Sequence, residues 1–374
     1  MTERVALGKV CDFLYGDGLR EDKRRGGYVP VYGSNGIVGW HEEAITNGPT
    51  IVIGRKGSIG EIHYSAVPCW PIDTTYYIHE TKKPCDLKWL YYTLLSLGLT
   101  DLNKSAAIPG LNRNDAYEKE IPLPPLPEQE HIAAILDKAD SLRRLRRFSL
   151  ELGESYLQSV FLEMFGDPVT NPMGWEKINF EDVCEEIYRY PTFYGFKYLT
   201  TGTPVARIGN ILANGVLDPD LTNYVFIDDD LSIEFPRTIL EIYDILMAVR
   251  GDGSTATRIG LVTSPNLVGA NISPNLLRFK SKWNVMHPFY LYHLMVSDGG
   301  QKLIGRWVTR TAKKTITARD IKKIELPTPP YKFQERFVTV VRQYERLHVQ
   351  QQESLRQSEH LFRSLLDRVF GGEL

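Results

Sequence analysis

Pro122-Leu123-Pro124-Pro125-Leu126-Pro127-Glu128-Gln129-Glu130 returns downstream as Pro327-Thr328-Pro329-Pro330-Tyr331-Lys332-Phe333-Gln334-Glu335. Gln129 and Gln334 set the spacing at 205 residues (334 − 129), and no gap is needed after them. Asp140 falls on Glu345, Leu142 on Leu347, Leu150 on Leu355, Leu157 on Phe362, and Phe165-Gly166 on Phe370-Gly371. Proline lacks the amide that continues a ladder and suits the first turn of a helix, so each copy is predicted to hinge a globular segment onto a helix. Each helix runs nearly forty residues, roughly 55 Å at about 1.5 Å per residue, more than one domain requires.

In the second helix Phe337, Val341, Tyr344, His348, Gln351, Leu355, Ser358, Phe362, Leu365 and Val369 follow alternating steps of four and three, the seam of a coiled coil. The matching first-helix positions are Ile132, Leu136, Ala139, Arg143, Arg146, Leu150, Gly153, Leu157, Val160 and Met164. Both seams are apolar at the ends and polar in the middle. Antiparallel pairing within one chain would bring middle onto middle and satisfy both.

Upstream of the helices the likeness persists at shifting offsets. Leu7-Gly8-Lys9-Val10-Cys11 matches Phe180-Glu181-Asp182-Val183-Cys184 at 173 (180 − 7), and Arg55-Lys56-Gly57-Ser58 matches Arg250-Gly251-Asp252-Gly253-Ser254 at 195 (250 − 55). Ends are kept while middles differ, as in a recognition module with a fixed scaffold and an altered reading surface. Runs such as Thr50-Ile51-Val52-Ile53 and Ile245-Leu246-Met247-Ala248, set between glycine-rich turns, predict short strands in two α+β units.

The chain has 374 residues, 43% of them apolar and 24% charged, with a formal net charge of −2. That is ordinary globular composition, and the charge argues against a protein that coats nucleic acid without selectivity. No run of about 18 apolar residues occurs and no hydrophobic signal segment follows Met1, so the expected location is the cytoplasm. Cys11, Cys69, Cys85 and Cys184 lack the spacing of a zinc site or a disulfide framework and read as buried thiols.

Catalytic readings are weaker than their structural alternatives. Pro71-Ile72-Asp73 followed by Glu80-Thr81-Lys82 imitates the carboxylate and lysine spacing of Mg²⁺-dependent nucleases, but the second unit has no such acids. Thr328-Pro329-Pro330-Tyr331 approaches a methyltransferase loop, with threonine where an acid or amide belongs, and its first-unit copy is a plain hinge. Gly54-Arg55-Lys56-Gly57-Ser58-Ile59-Gly60 lacks the spacing of a phosphate-binding P-loop. The expectation is a chain that catalyses nothing and holds no metal or cofactor.

Basic and polar turns carry the stronger signal, because guanidinium groups beside glycines can approach phosphate or a guanine edge. The alternative is a hairpin turn with a solvated arginine. Arg306, Arg310, Lys313, Lys314, Arg319, Lys322 and Lys323 form a basic cluster, answered in the first unit by Lys104 and Arg113 beside Asn112 and Asn114. Arg143, Arg144, Arg146 and Arg147 on the first helix fit a solvated face at least as well as a DNA contact.

The chain resembles the specificity subunits of type I restriction-modification systems. The likeness rests on Tyr28-Val29-Pro30-Val31-Tyr32-Gly33-Ser34-Asn35-Gly36-Ile37-Val38-Gly39, on Ile51 to Gly60, on Trp70-Pro71-Ile72-Asp73-Thr74-Thr75-Tyr76-Tyr77, and on both proline-rich helix starts. It implies an α+β, pseudo-twofold fold: target recognition domains at 1–124 and 167–328, and spacer helices at 125–166 and 329–374 forming an antiparallel coiled coil. Each domain would read one half of a bipartite double-stranded DNA target. The helices would fix the gap and dock two methyltransferase subunits, with restriction subunits as further partners. S-adenosylmethionine, ATP and Mg²⁺ would sit on those partners. The expected DNA contacts are Ser34, Asn35, Arg55, Lys56, Ser58, Lys104, Asn112, Arg113, Arg207, Asn210, Arg250, Ser254, Arg310, Lys313 and Lys314. The competing readings are a Mg²⁺-dependent nuclease and a purely structural coiled-coil adaptor.

Overall fold

The computed structural model describes residues 3–103, 110–190, 197–251, 257–309 and 314–371. The chain divides into two compact units, Met1–Ser149 with Gln351–Leu374, and Leu150–Gln350. Each long helix therefore contributes residues to both units.

Unit 1 begins with β1 (Arg4–Ala6), which pairs antiparallel with its last strand, β9 (Glu120–Pro122), and so closes the globular part just before the helix. A four-stranded sheet of order β2-β8-β5-β6 uses Leu14–Tyr15, Thr75–Ile78, Thr50–Gly54 and Ile62–Ser65. A three-stranded sheet of order β4-β3-β7 uses Gly36–His41, Val29–Gly33 and Trp70–Pro71. Helix α1 (Leu87–Ser96) is capped by Asp86, whose carboxylate accepts the Trp89 amide at 2.7 Å, and it buries Trp89, Leu90, Tyr92 and Leu94. A one-turn helix, α2 (Arg113–Tyr117), precedes β9, and α3 (Leu126–Phe165) follows it.

Unit 2 repeats this plan. After β10 (Lys177–Asn179) and α4 (Phe180–Val183), strands β11 (Cys184–Arg189), β12 (Thr203–Ala206), β13 (Val225–Ile227) and β14 (Ile245–Ala248) enclose α5 (Asp229–Glu234). Then come β15 (Arg250–Gly251), β16 (Ile259–Leu261), β17 (Asn271–Ile272), β18 (Leu276–Ser281), α6 (Pro288–Val296), α7 (Asp298–Gly305), β19 (Lys314–Thr315), α8 (Ala318–Lys322), β20 (Glu325–Pro327) and α9 (Tyr331–Phe370). The sheets run β11-β18-β14-β16 and β13-β12-β17, with β10 on β20 and a two-strand ribbon of β15 and β19. Where unit 1 joins β3 to β4 through Ser34-Asn35, unit 2 inserts residues 207–224 between β12 and β13.

Strand pairing fixes the equivalences more firmly than sequence likeness. The Ile72 amide bonds the Tyr32 carbonyl as Ser273 bonds Ala206, and Thr75 bonds Ile72 as Leu276 bonds Ser273. The Arg55 amide bonds the Thr74 carbonyl as Val249 bonds Asn275, and Leu111 bonds Arg55 as Ile316 bonds Val249. Arg55 thus corresponds to Val249, one position before the Arg250 that similarity of the turns had suggested.

The long helices pack antiparallel within each unit. In unit 1 the Arg143 guanidinium lies 4.0 Å from the Phe362 ring and Arg147 donates to Glu359 at 2.7 Å. In unit 2 Phe161 stacks edge-on against Phe337, and Phe165 against Phe333. The apolar ends of the seams do more than pair with each other. Leu136 and Phe362 join the core around Trp89 and Tyr92, while Phe161 and Phe337 join the core around Tyr290. This is why the helix ends belong to the globular units, and the α+β class expected from the sequence holds.

Candidate nucleic-acid interface

The Gly54–Gly60 turn is built by close backbone approach. A Cβ on Gly54 would lie 2.0 Å from the Ser58 carbonyl oxygen, and one on Gly60 would lie 2.4 Å from the Thr100 amide, with Gly60 also at φ +75°. Ser34 is buried beneath it, donating its hydroxyl to the carbonyls of Lys56 and of Thr74, the latter at 2.8 Å. Ser34 therefore helps hold the turn in shape, while Asn35 and Lys56 are exposed and Ser58 is half-buried.

Above this turn sits a cationic and aromatic cluster. Arg55 donates through Nη2 to the Asp73 carbonyl at 2.7 Å and lies 5.1 Å from the Tyr15 ring centre and 5.8 Å from that of Tyr76. Arg113 lies 5.4 Å from Tyr15, so two guanidinium groups flank one half-exposed ring. Asn112 is exposed and caps α2, accepting the Asn114 amide at 3.1 Å and donating to Asp115. Of the expected unit 1 contacts, Arg55, Lys56, Asn112 and Arg113 come together on this surface.

In unit 2, Arg207 is exposed beside Tyr198. Asn210 is buried, donating to the Asn223 carbonyl at 3.0 Å and accepting the Arg207 amide at 2.9 Å. Like Ser34, it holds a loop in shape. The backbones of Arg250 and Lys314 lie in the β15–β19 ribbon. Lys104, Ser254, Arg310 and Lys313 lie outside the described residues. Arg319, Lys322 and Lys323 line an open cleft of about 490 Å³ with Tyr188, Arg189 and Arg237. Arg237 is partnered by Glu186 and sits 4.1 Å over Tyr188. Tyr15, Arg189 and Arg237 were absent from the expected contacts. Their signal was an aromatic or basic residue at a strand end, or in a short helical turn for Arg237, too common to single out.

Two residues of the catalytic alternatives have structural partners. Lys82 is taken up by the Asp12 carboxylate at 2.6 Å and the Gly8 carbonyl at 2.9 Å. The Thr328 hydroxyl bonds the Leu326 carbonyl at 3.1 Å, as a structural turn would. Among the described residues no group of three or more His, Cys, Asp and Glu could hold a metal ion, and no helix is long and apolar enough to cross a membrane. Burial pushes the Cys11 thiol up to about 12, and Cys11, Cys69 and Cys184 are packed in cores.

Residues 2–148 match the type I restriction modification DNA specificity domain. The curated relatives agree. Over 146 residues the chain is 26% identical to the specificity subunit of the type I restriction enzyme EcoprrI of Escherichia coli, covering 37% of this chain and 36% of that protein. Over 357 residues it is 22% identical to the specificity subunit of EcoBI, also from E. coli, covering 87% of this chain and 73% of that one. The match thus spans about a third of the first relative and about three quarters of the second. The fold is that of the type I specificity subunit from M. genitalium, with a TM-score of 0.58 at 16% identity over 99% of this chain and 96% of that one. The resemblance to type I specificity subunits is therefore borne out, with the specificity-domain match on unit 1 and the fold likeness on the whole chain.

Proposed function

We propose that this chain is the DNA-recognition subunit of a type I restriction-modification complex, each unit reading one half of a bipartite target. The observation that carries this reading is one strand topology used twice with different side chains at equivalent surface positions. Tyr15, Arg55 and Arg113 of unit 1 correspond to Arg189, Val249 and Ala318 of unit 2. A duplicated frame with a changed surface suits two different half-sites.

The helices offer a face for partners. Leu142 and Leu347 are equivalent and exposed, at 40% and 57%, and on the unit 1 part of α3 Leu145 and Phe148 are more exposed than Leu142. Apolar side chains three residues apart on an otherwise charged helix fit docking of a partner helix on unit 1, and Leu347 marks the equivalent position on unit 2, hence two methyltransferase subunits. S-adenosylmethionine, and ATP and Mg²⁺ where a restriction subunit is present, would be held by those partners, and this chain would turn nothing over alone. The gap between half-sites would follow from helix length.

The test is adenine methylation mapped across the genome of cells with and without this chain plus its methyltransferase partner. A two-part, gapped motif that appears only with this chain supports the reading. Methylation indifferent to its presence rejects it. Mg²⁺-dependent nicking by the purified chain, lost in Asp73→Ala, would favour the nuclease reading instead.

A further inference from the structure

Unit 1 anchors the Arg55 guanidinium on the backbone carbonyl of Asp73. By the strand register the equivalent carbonyl in unit 2 is that of Pro274, since Thr74 corresponds to Asn275. That carbonyl also carries a guanidinium. It is not supplied from the end of β14, where Val249 is buried, but from β11, where Arg189 donates through Nε at 2.9 Å.

Arg189 pairs with Leu277 as Tyr15 pairs with Tyr76. Arginine and its apolar neighbour have thus exchanged strands. In unit 1 the arginine comes from the end of β5 and the ring from β2. In unit 2 the arginine comes from the strand equivalent to β2, and a valine fills the other place. The same carbonyl holds the charge in both.

We propose that Arg189 is the counterpart of Arg55 and reads the second half-site, where sequence likeness had pointed to Arg250. The proposal rests on the reading of each unit as a half-site reader. With Nε tied to Pro274, the Arg189 fork is held in place and its terminal amines take no hydrogen bond among the described residues, which lowers the ordering cost of a bidentate bond to a guanine edge. The side chain is exposed and opens on the cleft of Arg237, Arg319, Lys322 and Lys323, where backbone phosphates would gather.

The experiment uses the assembled complex with its methyltransferase partner and three duplexes: the target found by methylation mapping, and the same duplex with its first or second half scrambled. Arg189→Ala is expected to weaken binding to the full target roughly five- to a hundred-fold and to abolish preference for an intact second half, leaving first-half preference unchanged. Arg55→Ala is expected to do the converse. Arg189→Lys, which keeps the charge without the fork, should also lose second-half preference. Unchanged preference in Arg189→Ala, equal weakening on all three duplexes, or full preference in Arg189→Lys would each overturn the assignment. Loss confined to Arg250→Ala would do the same. Retained first-half preference and an unshifted melting temperature show that the variant is folded. A wild-type complex without preference for either half would instead reject the half-site reading beneath the proposal.

Discussion

Gln129 and Gln334 explain why the proline-rich segment is written twice. Each is buried and bridges two elements: Gln129 accepts the Asp86 amide at the start of α1 and donates to the Pro124 carbonyl at 2.8 Å. Gln334 accepts the His287 amide at the start of α6 and donates to Pro329 at 2.9 Å and Val285 at 3.0 Å. Replacing either by Ala strands buried backbone groups, an expected loss of about 2–4 kcal/mol readable by denaturant unfolding. The motif was visible in the sequence. Its reason was not, because both partners beyond the hinge lie over 40 residues away. The same blindness to distant partners hid the burial of Ser34 and Asn210, small polar residues in loop segments. Arg278 is a further case: nearly fully buried in β18, it donates to Asp244 at 2.6 Å and to Glu186 and Glu241, whereas unit 1 has Tyr77 in that register. Arg278→Met would leave the Asp244 carboxylate buried without its partner and should cost about 3–5 kcal/mol, partly recovered by adding Asp244→Leu. Full stability in the single variant would contradict this account of the network.

Among elements, the long helices were the most legible, because a seam of 3.5-residue period repeats for ten positions. Their strand neighbours were legible in type but not in register, and one residue of register separates Arg250 from Val249. Helix α6 carries an acid-sensitive start. His287 caps it by accepting the Phe289 amide through Nδ1, which only the neutral ring can do. Burial, helped by Arg342, holds His287 down to about 4 from an ordinary 6.5, and burial does the same for His293. A lowered histidine value means that the unfolded chain takes up the proton first. Stability is then complete above about pH 6.5 and falls as pH drops toward 4. His287→Asn, which caps without titrating in this range, should flatten part of that fall in a series of thermal melts. An identical slope in both proteins would count against the cap. On α3, Leu145→Glu should change stability by no more than about 0.5 kcal/mol, since the side chain is 64% exposed. Under the proposed function it should nevertheless weaken co-purification of a methyltransferase partner, and unaltered co-purification would reject this face as the proposed docking site.

For the molecule as a whole, the repeat spacing carried most of the information. It is 173 residues at the opening strands (Arg4 to Lys177) and 205 at the closing ones (Pro122 to Pro327), so 32 residues of insertion sit inside the second frame. The sequence showed that the insertions exist. Only the topology shows that 207–224 enters between two strands of the smaller sheet, leaving the β1–β9 and β10–β20 closures alike. Under the proposed function, changes inside the frames alter what is read, and changes in the helices alter the distance between the two parts read. Inserting one seven-residue heptad into each helix adds about 10 Å of length, on the order of three base pairs of duplex. Mapping adenine methylation with that double insertion should return both half-motifs unchanged with a longer gap between them. An unchanged gap, or an altered half-motif, would contradict the account.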